Sequence, residues 1–315
     1  MKPLVIFWSC HRNIDFIVRI LGVISFLFRD FLKVHYSADT ANYLVRMLLN
    51  NHDKDFVRLF IQNKLMTQFV RLFLEAIAWK EVDLFLHQHC IVHNDQQGTG
   101  SKMLLCTHTG DYWIAILTIA RQYEGQGVEV IVPIYEKITE KNRCTYDKIN
   151  ITGVKVIFVN IHEAGVLLRL TRYLKKPNCV VAIFYDLFCY AAGVYNGSVE
   201  PVCLFGKKGH MTTGIIQLAI RMALNVSFVS CFYSAEDKKY LTEISHSYNL
   251  PGNGCIRNNM VAWVETQVKR YPSQWHFVAN LDTYYHFPLS ELKSLHSKNQ
   301  AHFIRLNAKY SNYNG

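Results

Sequence analysis

Residues 103–120, MLLCTHTGDYWIAILTIA, decide how the chain reads. Met103, Leu104, Leu105 and Cys106 make a short apolar run of the kind that fills a buried strand. The run ends in Thr107-His108-Thr109-Gly110-Asp111, and a helical apolar pattern begins at Tyr112. Gly110 lets the chain turn sharply, and Asp111 stands at the N-cap position. A strand that delivers a His and an Asp to the mouth of a helix holds both on rigid backbone. There His108 can take a proton from a hydroxyl or amine while Asp111 orients the ring and stabilises the imidazolium. The same residues fit a plain structural role, Asp111 as a cap and His108 as a hydrogen-bonded strand end. This stretch alone leaves both readings open.

Outward from it the chain alternates. Residues 128–133 (VEVIVP), Val154–Asn160 (VKVIFVN) and 179–186 (CVVAIFYD) are β-branched runs of strand length. Helix-sized polar segments, 135–150 and 163–175, lie between them. The alternation predicts an α/β fold with a mainly parallel central sheet flanked by helices. Such sheets bind ligands beyond the carboxyl ends of their strands, where His108 and Asp186 both fall. Residues 199–205 (VEPVCLF) read as another strand, and 206–214 (GKKGHMTTG) as a Gly-rich basic loop before a helix over 215–224. That loop could hold an anionic group on backbone N–H donors, although it has neither Walker nor dinucleotide spacing. A strand over 226–233 and a helix over 259–270 follow, the helix running into YPSQW. Residues 90–100 read as a polar turn, and the last thirty carry no readable motif.

Upstream, residues 14–32 are apolar with helical spacing but include Asp15, Arg19, Arg29 and Asp30. Their uninterrupted part, 20–28, falls short of the roughly 20 residues that span a bilayer. A helix lying in a membrane interface, or packed on the core, fits better. Residues 40–86 keep a helical period with basic flanks, as ordinary solvated helix faces do. The expected organisation is a helical region over 1–88 and an α/β domain over 89–315, continuous with each other. Hydrophobic residues are 50% of the chain and charged ones 18%, so part of the apolar surplus can face lipid or an acyl chain. The net charge of +10 points to an acidic partner. An anionic membrane or a phosphorylated ligand ranks ahead of nucleic acid, since the basic residues are dispersed and no nucleic-acid motif is present. The nine cysteines never form C-x-x-C, and His87, His89 and His93 lack matching carboxylates or thiolates. Neither a disulfide framework nor a metal site is expected.

Four blocks, in this order, resemble the late lipid A acyltransferases, membrane-peripheral enzymes that move fatty acyl chains from acyl carrier protein to lipid A precursors. They are CTHTGDYW (106–113), VVAIFYDLF (180–188), EPVCLFGKKGHMTTGIIQLAIRMALNVSFVSCF (200–232) and YPSQWHF (271–277). The resemblance spans about residues 69–275. It implies acyl transfer from a thioester, with His108 as general base and the thioester as co-substrate rather than any cofactor or metal; hydrolysis by the same His with water is a close variant. The family signature is H-x4-D/E, and here Trp113 holds the acid position. Asp111, in H-x2-D, is the nearest acid and the expected orienter; a His without its orienter, or a degenerate site, is the other reading. By the same resemblance Lys137 and Arg143 would contact acidic parts of the substrate, and Asp186 would support the site. Phe205, Gly206, Thr213 and Gly214 would shape the substrate-binding loop. The family's N-terminal membrane anchor is poorly represented, which suggests a divergent member with a lipid A-like or secondary-metabolite acceptor. Its expected place is the cytoplasm, or the cytoplasmic face of the inner membrane. The other class of function is a lipid- or membrane-binding protein that keeps the fold without turnover.

Overall fold

The computed structural model describes residues 14–94, 100–135, 137–187, 199–249 and 256–284. Helices α1 (Ile14–Leu27), α2 (Arg29–Tyr36), α3 (Ala38–Leu49), α4 (Phe56–Ala76) and α5 (Trp79–His89) come first. Strands β1 (Cys90–Asn94) and β2 (Met103–Cys106), helix α6 (Tyr112–Arg121), strand β3 (Val128–Ile134) and helix α7 (Glu140–Asp147) follow. Then come β4 (Val154–Asn160), α8 (Val166–Leu174), β5 (Cys179–Phe184), β6 (Val199–Leu204), β7 (Lys207–Thr212) and α9 (Gly214–Arg221). Strands β8 (Val226–Ser234) and β9 (Lys239–Ile244), helix α10 (Ile256–Arg270) and 3-10 helices Pro272–Gln274 and Val278–Tyr284 complete them. The motifless tail from 285 onward lies outside the described residues, as do 95–99 of the expected polar turn.

Seven strands form one sheet in the order β1-β9-β8-β2-β5-β3-β4. Strand β2 lies between β5 and β8 and is parallel to both, and β3 is parallel to β4 and β5. Only β9 and β1 run the other way: β9 turns back antiparallel on β8, and β1 lies parallel to β9. The fold is therefore α/β with a mostly parallel sheet, and both its faces are covered. Alternate residues separate onto the two sides, as strand geometry requires. Leu104, Cys106, Val130, Val132, Val180 and Ala182 pack with Ile116 and Ile119 of α6. Met103, Leu105, Ile131, Cys179 and Val181 join a larger buried cluster that runs from Ile14 to Tyr284.

Helix α4 shows why the N-terminal helices sit where they do. Phe56, Phe60, Phe69 and Phe73, with Ile61, Leu65, Met66, Val70 and Leu74, form its buried stripe. Their three- and four-residue steps give one apolar face, which lies against α1 and the 3-10 helix Pro272–Gln274.

Three local expectations change. Residues 14–32 are not one helix: the chain leaves helical geometry at Phe28 (φ −106°, ψ 23°) and starts again as α2. The buried positions Ile14, Ile17, Leu21 and Ser25 make one stripe, and the break brings Leu32 in behind them. Residues 207–212 are not a loop but the second strand of a hairpin with β6. Phe205 and Gly206 both have positive φ (51° and 73°), the geometry of a two-residue hairpin turn. Residues 90–94, expected in a polar turn, pair as an edge strand.

Candidate active site

The parallel register places the central pair of residues. Cys106 stands opposite Phe184, and Tyr185 N donates to Cys106 O at 3.0 Å, so β2 and β5 leave the sheet in step. Two residues further along each are His108 and Asp186. The Asp186 carboxylate takes the place of the next ladder bond. Its Oδ2 accepts from His108 N (2.8 Å), and its Oδ1 lies 2.6 Å from His108 Nδ1.

Asp186 is fully buried, so the protein must satisfy its charge. Trp275 Nε1 donates to Oδ2 (2.7 Å), and Tyr284 Oη donates to the Asp186 main-chain carbonyl (2.6 Å). A carboxylate only accepts, so Nδ1 of His108 carries the proton and Nε2 is left as the basic nitrogen. The imidazole stands between Phe184 and Phe277, with ring centroids at 4.5 and 4.8 Å, which restricts its rotation. The result is an imidazole whose Nδ1 is held by a buried carboxylate.

The segment carrying Trp275 is stitched to the histidine turn. Thr109 and Trp275 form an antiparallel bridge. Gly110 N donates to Gln274 O (2.8 Å), and His276 N donates to His108 O (2.9 Å). His276 Nε2 donates to Gly110 O (3.0 Å), and burial, with the nearby Lys64 charge, holds that imidazole well below its usual pKa. Lys64 reaches over from α4 to donate to His276 O (3.1 Å). Behind the turn runs a buried hydroxyl chain. Thr107 Oγ1 meets Thr109 Oγ1 (2.9 Å) and Ser230 Oγ (2.6 Å), and Trp263 Nε1 donates to Ser230 (2.8 Å).

Asp111 has a different place from the one its spacing suggests. Its Oδ1 accepts from Trp113 N and Ile114 N, both at 3.0 Å, which makes it the N-cap of α6. The hydrogen bond to the His108 ring comes from Asp186 instead. The reason is geometric: a residue that turns its carboxylate onto the first free N–H groups of its own helix points away from the strand end behind it. Burial pushes the Asp111 carboxyl up to about 7, against the pull of those two hydrogen bonds.

His108 lines a cavity of about 330 Å³. Tyr112, Trp113 and Ile116 of α6, Pro133 and Tyr135 near the end of β3, Tyr146 of α7 and Phe158 of β4 form much of its wall. Phe184, Leu187, Thr212, Gly214 and Ile215 close other sides. Such an apolar hollow beside one polar nitrogen suits a hydrocarbon chain ending in a reactive carbonyl.

The remaining expected residues divide. Gly214 lines the cavity, and Thr213 is buried just before it. Lys137 and Arg143 are exposed, after β3 and on α7, outside the cavity wall. Phe205 and Gly206 form the hairpin turn, where the Phe205 N–H is held by Glu265. Sequence reasoning gave no role to Trp275, Phe277 or Tyr284. The YPSQWHF block was the available signal for the first two, and Tyr284 had none. Among the described residues no group of His, Cys, Asp and Glu converges as a metal site would.

The family described as bacterial lipid A biosynthesis acyltransferase matches the chain over residues 87–281, more than half its length. His108, Asp186 and Trp275 all lie within that span. No curated protein matches the chain.

Proposed function

The chain belongs to the bacterial lipid A biosynthesis acyltransferase family, and from that membership, which points to acyl transfer, we propose a mechanism built on His108 and Asp186. His108 Nε2 removes the proton from an acceptor hydroxyl or amine as its oxygen or nitrogen attacks the carbonyl carbon of an acyl thioester. The C–S bond breaks, and the imidazolium returns the proton to the leaving thiolate. Asp186 holds the ring in the tautomer that leaves Nε2 free and stabilises its positive charge. The apolar cavity receives the acyl chain. No cofactor beyond the thioester enters this scheme, and an acyl carrier protein or similar thioester is the donor.

The observation that carries the reading is the 2.6 Å contact between His108 Nδ1 and a carboxylate with no solvent exposure, at the lip of an apolar cavity. It also weighs against a degenerate site, since β5 supplies the orienter absent from position 113. The acceptor is a hydroxyl or amine of a lipid A-like or secondary-metabolite molecule, with Lys137 and Arg143 available to an acidic group on either substrate. The protein works at an anionic membrane surface on its cytoplasmic side, held by α1 and α2.

The test follows thiol release from acyl carrier protein thioesters against a panel of hydroxyl and amine acceptors. His108→Ala and Asp186→Asn should each lose about 10²- to 10⁴-fold in kcat. Asp111→Asn, which keeps a capping oxygen, should stay within a few fold of the parent. Full activity in His108→Ala would sink the mechanism.

A further inference from the structure

We infer that Trp113 forms the inner end of the acyl slot and sets the longest chain it accepts, an inference that rests on the acyl-transfer reading above. The cavity begins at His108, after β2, and crosses the ends of β5 and β3 to Phe158 on the edge strand β4. Three inter-strand steps at about 4.8 Å each give it a reach of about 14 Å. Its volume is about 330 Å³.

The inner wall is aromatic. Trp113 lies against Tyr146 and Phe158, with ring centroids at 5.4 and 5.5 Å, and these two stack on each other at 4.1 Å. Behind the indole is a second, mostly apolar hollow of about 10 Å³, faced by Leu74, Ile77, Trp79, Val82 and Ile149, with Thr145 and Lys148 at its edge. Trp113 lines both spaces. Its ring is therefore a partition between the acyl slot and an apolar gap among α4, α5 and α7. A smaller side chain there joins the two and lengthens the slot into hydrocarbon-compatible surroundings. The residue at the acid position thus acts on chain length while β5 provides the carboxylate.

The experiment measures displacement of a fluorescent fatty acid by straight-chain acids from octanoate to stearate, together with hydrolysis or transfer of the matching acyl thioesters. In the parent, affinity should rise with chain length and then break off at a medium length. Trp113→Ala should move that break outward by two or more methylenes. Each buried methylene is worth about fourfold in affinity, so the palmitate-to-laurate ratio should rise by about sixteenfold or more. Trp113→Phe, a smaller aromatic that preserves the packing, should fall between, and it carries the test alone if the alanine variant does not fold. Adding Val82→Phe to Trp113→Ala refills the rear gap and should draw the break back. An unmoved break in the variants, or no fatty-acid binding by the parent, overturns the inference. Thioester turnover with an unmoved break leaves the acyltransferase reading standing without it. A shifted binding break without turnover supports the partition and removes the acyltransferase reading instead.

Discussion

Asp111 and Asp186 are both buried carboxylates, one on each side of the same turn, in opposite surroundings. Asp186 meets three N–H groups shared over both oxygens. Asp111 receives two on a single oxygen, and its Oδ2 has no hydrogen-bond partner among the described residues. Cys90, Cys231 and Tyr240 surround it, and burial pushes all three upward, so they stay neutral near pH 7. The folded chain therefore favours protonated Asp111, with its pKa raised from 3.8 to about 7. A raised folded-state value gives stability that is complete below the unfolded carboxyl's pKa and is lost as pH climbs through the folded one. The melting temperature of the parent should fall between about pH 4 and pH 7 by the equivalent of a few kcal/mol. Asp111→Asn keeps the cap and should flatten that slope. Equal slopes in thermal denaturation series of the two proteins would show that Asp111 does not titrate in this range.

At the scale of elements, the turn between β2 and α6 depends on an approach that no side chain allows. Gly110 sits at φ +58°, and a Cβ there would lie 2.3 Å from Cys231 O and 2.7 Å from Phe232 Cα, both backbone atoms of β8. Gly110→Ala should cost more than about 3 kcal/mol in chemical denaturation, or leave the protein insoluble. Gly206→Ala is the control. It has a similar positive φ with nothing within 4 Å, so it should cost only about 1 kcal/mol. The need for a glycine at 110 is legible in the sequence, and so is the strand–turn–helix around it. Strands read as β-branched runs match closely: Val154–Asn160 falls where the pattern puts it. Strand β7 escaped because KKGHMT carries no apolar alternation, its pairing being fixed by the turn before it. The choice of carboxylate escaped for a related reason. Spacing counts residues along one helix, whereas His108 and Asp186 meet across two strands 78 residues apart in sequence. Both positions are visible as strand ends; the register that joins them is not.

For the whole molecule, the same apolar surplus that fills the core is also on the outside, most densely near the N-terminal helices. Around the break between α1 and α2, Phe26 (69%), Phe31 (70%) and Val34 (82%) stand exposed, with Val23, Leu27 and Phe28 beside them. Arg19, Arg29 and Lys33 lie among them, paired with Asp15, Asp30 and Asp39, so any preference for anionic lipid comes from the chain's net charge of +10. No described helix is long and apolar enough to cross a membrane, and the surface attachment proposed above rests on this apolar patch. In vesicle sedimentation the protein should favour anionic over zwitterionic lipid, with the preference weakening as salt rises. Replacing both Phe26 and Phe31 by Asp should reduce partitioning at least about tenfold, since each buried aromatic contributes about 1.5–3 kcal/mol. Unchanged partitioning would place the contact elsewhere.

The clamp of Trp275 and His276 on the histidine turn, with Tyr284 on Asp186, bears on how the site is assembled during synthesis. His276 closes on Gly110 across 166 residues of sequence. A ribosome thus delivers the base long before the residues that lock its orienter. Until the segment through Tyr284 has emerged and docked, Asp186 lacks the indole N–H on its carboxylate and the phenol O–H on its main-chain carbonyl. A half-made chain would carry the imidazole without its lock, and under the proposed mechanism it would become competent only after the last of these contacts had formed.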